Sequence, residues 1–457
     1  MSRTQPNILL IVSDDHGYAD RSAVGSADAS TPHLDRLAGE GTSFTDAYVT
    51  APICSPSRAA MITGQYQQRW GAAWFDSSHI GSEPTIAEML SERGYETGYF
   101  GKVHYGPEGP GDRGTPPRHG FDESFYGLAG QSMGRLHYLT HSREAVSEFG
   151  DAAEAMAVQP MWSGDQPADV DRFLTDEFST RADDFISRDR ESPFFAMVAF
   201  NAVHNFCWQL PHDELEKRGL PALEDWHPGA SEYLDWYDGA ISPNLPNGRA
   251  YYLAQLELMD AQIGHLLTRL DALGIADDTI VVYLTDNGGS TCNYGDNGEL
   301  RGTKYTLWEG GVRVPFLMRW PGLAEAGATS HQLVSSLDLA TTFAVAAGEP
   351  QSENLDGRDL APVLAGGAGH EVLHWDCGWQ WAVREGQWKL SWCDAASETA
   401  QYIIDVEHTS PGDGAFLCDL ETDIGETTNV AAEHPEIVDR LARAHDAWRT
   451  EIGLVNG

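Results

Sequence analysis

Four short apolar runs, each ending in a polar cluster, constrain this chain more than any other feature of its sequence. Asn7-Ile8-Leu9-Leu10-Ile11-Val12 runs into Asp14-Asp15-His16. A weaker run at residues 97–101 leads into Lys102-Val103-His104, and residues 194–200 lead into Asn201 and His204. Residues 279–284 lead into Asp286-Asn287-Gly288-Gly289. Short runs that are apolar throughout read as strands buried on both faces. Between the last two, residues 251–270 carry apolar side chains at helical spacing. Strands alternating with helices predict an α/β fold: a large, mainly parallel sheet flanked by helices. Ligands of such sheets sit beyond the carboxyl ends of the strands. Alone, each cluster reads as a cap, a tight turn or a core histidine. Repeated on four strands, the pattern predicts one shared crevice.

The texture changes after residue 369. Trp375, Trp379, Trp381, Trp388 and Trp392 crowd short strand-like runs, and residues 435–452 form one amphipathic pattern. Two units are expected: a catalytic α/β unit over 1–369 and a smaller antiparallel sheet with a helix over 370–457. Residues 112–190 carry no comparable pattern.

Composition narrows the partners. The 457 residues include 69 acidic and 29 basic side chains, a formal charge of -40. That excess argues against nucleic acid or an anionic membrane as partner. It also disfavours a long polyanion unless one end enters a local basic pocket. The cysteines, at 54, 207, 292, 377, 393 and 418, show no zinc spacing. Cys377 and Cys393 are candidates for a bridge that sequence leaves open. No apolar run is long enough to span a bilayer. The start, Met1-Ser2-Arg3-Thr4-Gln5-Pro6, shows no secretory leader. A cytoplasmic location is expected, or a periplasmic or secreted one if a leader was removed.

Asp14, Asp15, Asp286 and Asn287 offer only hard oxygens, which suit calcium or magnesium better than zinc. Three carboxylates leave a divalent ion little net positive charge, so further cations must help hold an anionic substrate. Arg58, Lys102 and Lys304 are candidates. Cys54-Ser55-Pro56-Ser57-Arg58 sits at an expected helix N-terminus, where backbone N–H groups favour anions. Pro56 is tolerated in a first turn. Cys54 reads as a plain buried cysteine or as an activated thiolate. A soft thiolate is a poor neighbour for a hard cation. Oxygen in place of sulfur would remove the conflict.

These residues resemble the type I sulfatases of the alkaline phosphatase superfamily. Cys54-x-Pro56-Ser57-Arg58 followed by Met61-x-Thr63-Gly64 is similar to the family's modification sequence, which a formylglycine-generating enzyme reads. The resemblance continues through Ser13-Asp14-Asp15-x-Gly17-Tyr18, Gly101-Lys102-x-His104, Asn201-Ala202-x-His204 and Thr285-Asp286-Asn287-Gly288. Leu300-Arg301-Gly302-x-Lys304, Glu309-Gly310-Gly311-x-Arg313-x-Pro315 and Val383-Arg384-x-Gly386-x-Trp388-Lys389 extend it, and Asp419-Leu420 with Glu426-Thr427-x-Asn429 closes it.

The resemblance implies a role for each site residue. Asp14, Asp15, Asp286 and Asn287 hold calcium, with magnesium or manganese as possible substitutes, and formylglycine 54 adds an oxygen. One hydroxyl of the hydrated aldehyde attacks sulfur. Arg58 and Lys102 stabilise that diol. Lys102, His204 and Lys304 contact sulfate oxygens, and His204 protonates the leaving alcohol. His104 takes a proton from the second hydroxyl, which expels sulfate.

Departures from the family pattern are His16, Val103, Tyr105 and the run Asn205-Phe206-Cys207-Trp208. They bear on the substrate and leave the reaction class alone. The expected substrate is a small or chain-terminal sulfated sugar, with aryl sulfates accepted. Trp70, Trp74, Phe75, Phe206 and Trp208 are candidate ring contacts, each with about even odds of being core aromatics. A phosphonate monoester or phosphodiester hydrolase of the same superfamily is the competing enzyme reading. An inactive binder of sulfated ligands is the non-enzyme reading, which the complete set of reactive residues disfavours.

Overall fold

The computed structural model describes residues 5–454 except 75–77, 106–108, 110, 129–160, 169, 171, 205 and 224–243. Strands in chain order are β1 (Asn7–Ser13), β2 (Thr42–Phe44), β3 (Ala47–Tyr48), β4 (Glu96–Lys102), β5 (Glu123–Gly127), β6 (Met161–Ser163), β7 (Gln166–Ala168) and β8 (Phe194–Ala199). They continue as β9 (Thr279–Thr285), β10 (Phe316–Arg319), β11 (Ala328–Ser330), β12 (Val334–Ser335), β13 (Val372–Asp376), β14 (Gln380–Glu385), β15 (Trp388–Cys393) and β16 (Gly414–Asp419).

The main sheet has ten strands in the order β11-β2-β10-β9-β1-β8-β4-β5-β6-β7. Its centre, from β9 to β5, is parallel throughout. Antiparallel strands extend both flanks: β10 against β9 and β2, and β6 against β5 and β7. All four strands expected from sequence lie in the parallel centre. In β1, Leu9 and Ile11 face one core, while Ile8, Leu10 and Val12 face the other. The helices Pro32–Glu40, Leu174–Ile186 and Gly248–Ala272 contribute to the first core. The helices Cys54–Thr63, Ile86–Ser91 and Asp338–Ala346 contribute to the second. The apolar runs are therefore continuous because both faces of the sheet are covered.

Register brings the strand ends level. Val12 pairs with Ala199, Ser13 with Thr285, and Gly101 with Ala199. The polar clusters thus emerge along one edge of the sheet. Gly101, at φ 138°, makes this possible, because a Cβ there would lie 1.8 Å from the Ala199 carbonyl oxygen. No larger residue fits between these two strand ends.

After the main sheet, β13 to β16 form a four-stranded antiparallel sheet, and the helix Pro435–Glu451 packs on it. This is the smaller C-terminal subdomain. Trp375 Nε1 donates to the Val49 carbonyl at 2.7 Å and ties the subdomain to the catalytic core. All six cysteines are free and buried, Cys377 and Cys393 among them, so those two form no bridge. Among the described residues, no helix is long and apolar enough to cross a membrane.

Candidate active site

The edge formed by the ends of β1, β4, β8 and β9 collects Asp14, Asp15, Lys102, His104, His204, Asp286 and Asn287. All are buried. The helix Cys54–Thr63 points its N-terminus at the same place, and Cys54 is fully buried in its first turn. Arg58 follows one helical turn later and so shares that face. Lys304 enters from the loop after β9 and is also buried.

Cations and carboxylates interlock here. Lys102 Nζ bonds Asp14 Oδ2, and Arg58 Nη2 lies 3.9 Å from the same oxygen. Arg58 Nε donates to Asp286 Oδ2 at 2.6 Å. Lys304 Nζ donates to Asp15 Oδ2 at 2.8 Å and stands 3.0 Å from His204 Nε2. His204 Nε2 is itself 3.5 Å from Asp15 Oδ2. Asn287 Nδ2 donates to Asp15 Oδ1 at 2.7 Å, and Cys54 Sγ lies 3.9 Å from that oxygen.

Single ligand atoms of Asp14, Asp15, Cys54 and His204 fall within 4.8 Å of one another, so this buried cluster could hold a metal ion. Asp286 borders it through Oδ1, which accepts the Asp15 N–H at 3.2 Å. Asp14 Oδ1 and Asn287 Oδ1 are buried with no hydrogen-bond partner among the described residues. Such oxygens are costly inside a protein unless something electropositive faces them. The donor set therefore fits a hard divalent cation.

Electrostatics follow from burial. Burial and the nearby Asp286 push the Asp14 carboxyl up to about 7. Asp286, despite burial, is held below the usual carboxylate range by Arg58, Lys102 and Lys304. Burial raises the Cys54 thiol, and the flanking lysines do not bring it down. An unmodified Cys54 is thus a neutral thiol among carboxylates, which disfavours the thiolate reading. Burial, reinforced by the surrounding cations, holds His104 and His204 well below the ordinary histidine value. Both imidazoles are neutral.

Backbone strain gathers at the same place. Asp15, His104 and Tyr305 adopt left-handed φ of 56°, 64° and 72°. Such conformations cost free energy and persist where surroundings enforce them, commonly at functional sites. Gly288 is pressed against the short helix Glu309–Val312, where a Cβ would meet the Gly310 carbonyl oxygen at 1.8 Å.

The departures noted in the sequence are core residues. His16 is fully buried, with Nδ1 against the Tyr283 hydroxyl and Nε2 2.8 Å from the Asp20 carbonyl. Burial lowers it to about 4. Val103, Tyr105, Phe206, Cys207 and Trp208 are buried as well. Phe75 and Asn205 lie outside the described residues. Trp70 packs partly buried against the second core. Trp74 differs: only partly buried, its ring sits 6.1 Å from Tyr305 and 5.8 Å from Trp379. Sequence reasoning missed Asn293, whose Nδ2 donates to Asp15 Oδ2 at 2.5 Å. A single asparagine in a polar loop gives no periodic signal. Its only cue is its position six residues after Asn287.

Comparison with known proteins agrees with this geometry. A family model described as Sulfatase matches residues 6–349, and one described as N-sulphoglucosamine sulphohydrolase, C-terminal, matches residues 302–446. Human arylsulfatase A is 32% identical over 475 residues, covering 95% of this chain and 86% of that protein. An N-acetylgalactosamine-6-O-sulfatase of Bacteroides thetaiotaomicron is 28% identical over 513 residues, covering 98% and 93%. The crystal structure of Ps i-CgsB in complex with k-i-k-neocarrahexaose superposes with a TM-score of 0.79 at 28% identity, covering 97% and 92%. The chain therefore belongs to the type I sulfatase family of the alkaline phosphatase superfamily and is a sulfuric ester hydrolase.

Proposed function

We propose that this enzyme releases sulfate from small or chain-terminal sulfated sugars, accepts aryl sulfates as well, and works through formylglycine made from Cys54 and a calcium ion. The observation that carries the reading is the convergence on Cys54 of three carboxylates, an asparagine oxygen, three cations and two neutral histidines.

Asp14, Asp15, Asp286 and Asn287 would hold the ion. All four offer oxygen, which favours calcium and admits magnesium or manganese. When bound, the ion supplies charge that offsets the anionic sulfate. Formylglycine at position 54, installed by a formylglycine-generating enzyme, would supply through its hydrate one hydroxyl for attack on sulfur and a second for expelling sulfate. Arg58 and Lys102 reach this position from the helix and from the end of β4, and they orient the nucleophilic oxygen. Lys102, Lys304 and His204 are aimed where charge shifts among the sulfate oxygens during transfer. His204 serves the leaving alcohol as proton donor. His104 is kept neutral by burial and by Lys102, Arg58 and Lys304, which suits a base that takes the second hydroxyl's proton.

The sugar reading rests on Trp74, Tyr305 and Trp379. Tyr305 follows Lys304, and its N–H donates to the Pro52 carbonyl at 2.6 Å, two residues before Cys54. Trp379 comes from the turn between β13 and β14. The catalytic unit and the C-terminal subdomain thus build one aromatic wall beside the site, suited to the C–H face of a sugar or to an aryl ring. Two of the relatives described above are an N-acetylgalactosamine-6-O-sulfatase and a protein solved with a neocarrahexaose. The net charge of -40 favours a chain end over an intact sulfated polymer.

The test is sulfate release from a sulfated disaccharide, its parent polymer, nitrophenyl sulfate and a phosphodiester. Preference for the disaccharide and for chain ends supports the proposal. Rapid internal desulfation of the polymer contradicts it, as does a phosphodiester rate above every sulfate rate. Hydrolysis of aryl sulfate alone would identify an arylsulfatase.

A further inference from the structure

The turn that follows Asp286-Asn287 is anchored from outside the main sheet. Ser290 Oγ donates to Glu407 Oε1 at 2.5 Å, and the Thr291 N–H donates to Glu407 Oε2 at 2.7 Å. Cys292 Sγ adds a contact to the Val406 carbonyl at 3.2 Å. Both acceptors belong to the last turn of the helix Glu398–Glu407, which lies between β15 and β16 of the C-terminal subdomain.

Glu407 is oddly placed if stability is its only purpose. It is 1% exposed and is the final residue of its helix. A carboxylate pays for desolvation there and also meets the negative end of the helix dipole. Its two donors both come from the turn Thr291–Asn293 and its cap, Ser290. Two residues after Thr291 comes Asn293, fully buried, which donates to Asp15 Oδ2. The Asn293 amide oxygen has no hydrogen-bond partner among the described residues. The same Asp15 oxygen faces Lys304 and His204.

We propose that Asn293 and Glu407 are positioning residues for Asp15: Glu407 clamps the turn, and Asn293 fixes the carboxylate in the orientation that receives the divalent ion. The inference rests on the reading of Asp15 as an ion ligand. It makes the C-terminal subdomain a determinant of ion affinity, acting through one helix end and one turn. Outer partners that orient a metal's ligands commonly set its affinity in this way.

The test uses the full chain, stripped of metal with a chelator. Calcium affinity is measured by calorimetry, and kcat and KM for nitrophenyl sulfate are measured against calcium concentration. Asn293→Ala and Glu407→Ala should each weaken calcium binding by about 10- to 100-fold. Saturating calcium should restore most of kcat, with KM for the sulfate ester little changed. Glu407→Gln keeps an oxygen for the Thr291 N–H and an amide for Ser290 Oγ, so it should return calcium affinity close to that of the parent. A Glu407→Ala protein with a lower melting temperature but parental calcium affinity has lost only structural support, and overturns the proposal. Parental affinity in Asn293→Ala overturns it too, and this variant decides the matter if Glu407→Ala does not fold. Asp286→Ala is the control for the underlying reading: if it binds calcium like the parent, the ion site itself is misassigned.

Discussion

Lys304 Nζ stands 3.0 Å from His204 Nε2, and both face the same oxygen of Asp15. An ammonium can only donate, so Nε2 is the acceptor and the proton of this neutral imidazole sits on Nδ1. As the proposed acid, His204 would give up its Nδ1 proton while Lys304 Nζ returns one to Nε2. His204→Ala should accordingly slow a sugar sulfate, whose alkoxide needs a proton, by about 10²- to 10⁴-fold. Nitrophenyl sulfate should suffer much less. Lys304→Ala should slow both, and the double variant should lose less than the product of the two single losses. Equal damage to both substrates in His204→Ala would mean sulfate binding in place of acid catalysis.

Metal content and activity should vanish together. Asp286 accepts from Arg58 and from the Asp15 N–H, so it joins the cation set to the proposed ion site. Asp286→Ala should leave a folded protein that carries no calcium and is inactive. Elemental analysis of active parent enzyme should find calcium, or magnesium or manganese in its place. Zinc alone would contradict the assignment.

A second buried charge cluster joins the two units. Lys389 on β15 reaches Glu309 Oε1 at 2.8 Å and Glu426 Oε1 at 3.0 Å, all three buried. Although burial would raise Glu309, Lys389, Arg313 and Arg384 hold it down to about 2, while burial pushes Glu426 up to about 7. The shared ammonium thus favours the carboxylate that has more cations around it. Lys389→Met would remove the cation that Glu309 and Glu426 share, leaving Glu309 to Arg313 and Arg384. The expected cost is about 3–5 kcal/mol of unfolding free energy, read from denaturant curves. A change under about 1 kcal/mol would show that the cluster adds little to stability.

Acid should destabilise the fold before most carboxylates titrate. Burial lowers His119 and His374 to about 3 each, from an ordinary value near 6.5. The unfolded chain binds protons at these sites first. The stability from keeping them neutral is complete above about pH 6.5 and is lost as pH falls toward 3. Each site contributes a slope of about 1.4 kcal/mol per pH unit within that window. The raised carboxyls of Asp14 and Glu426 act in the opposite direction over the same range, so the contrast is read against His374→Phe, whose urea midpoint should fall less between pH 7 and pH 5 than the parent's. An equal fall in the two proteins would contradict the burial argument.

Residues of the central strands were legible because burial on both faces leaves no polar interruption in β1, β8 and β9. The polar clusters were legible because a parallel sheet has only one end at which such residues can meet. The ten proposed site residues do lie together there. Other parts lacked such signals. Strands β2, β6, β7 and β11 have three residues each, too few to show a period. The helix Leu174–Ile186 reads as acidic chain (LTDEFSTRADDFI), yet it packs Phe178, Ala182 and Phe185 into the first core. Asn293 makes one hydrogen bond to Asp15, and Glu407 accepts two from Ser290 and Thr291, all across long sequence separations that no local pattern encodes. Proximity in sequence also misled: Phe206 and Trp208 follow His204 closely but point into the core. Trp379, 175 positions after His204, reaches Trp74 because the start of β14 packs against this segment, where Gln380 Nε2 donates to the Tyr305 carbonyl.

The central claim is that the nucleophile is made from Cys54, and one measurement addresses it directly. The protein is produced with and without the formylglycine-generating enzyme, the mass of the tryptic peptide containing Cys54 is determined, and sulfate release is assayed on the same samples. The account predicts an aldehyde at position 54 and a turnover rate that rises in proportion to the modified fraction. Cys54→Ser should give at most one turnover, because its sulfate ester has no second hydroxyl to expel the product. Full, repeated turnover by protein whose position 54 is an unmodified thiol would contradict the account.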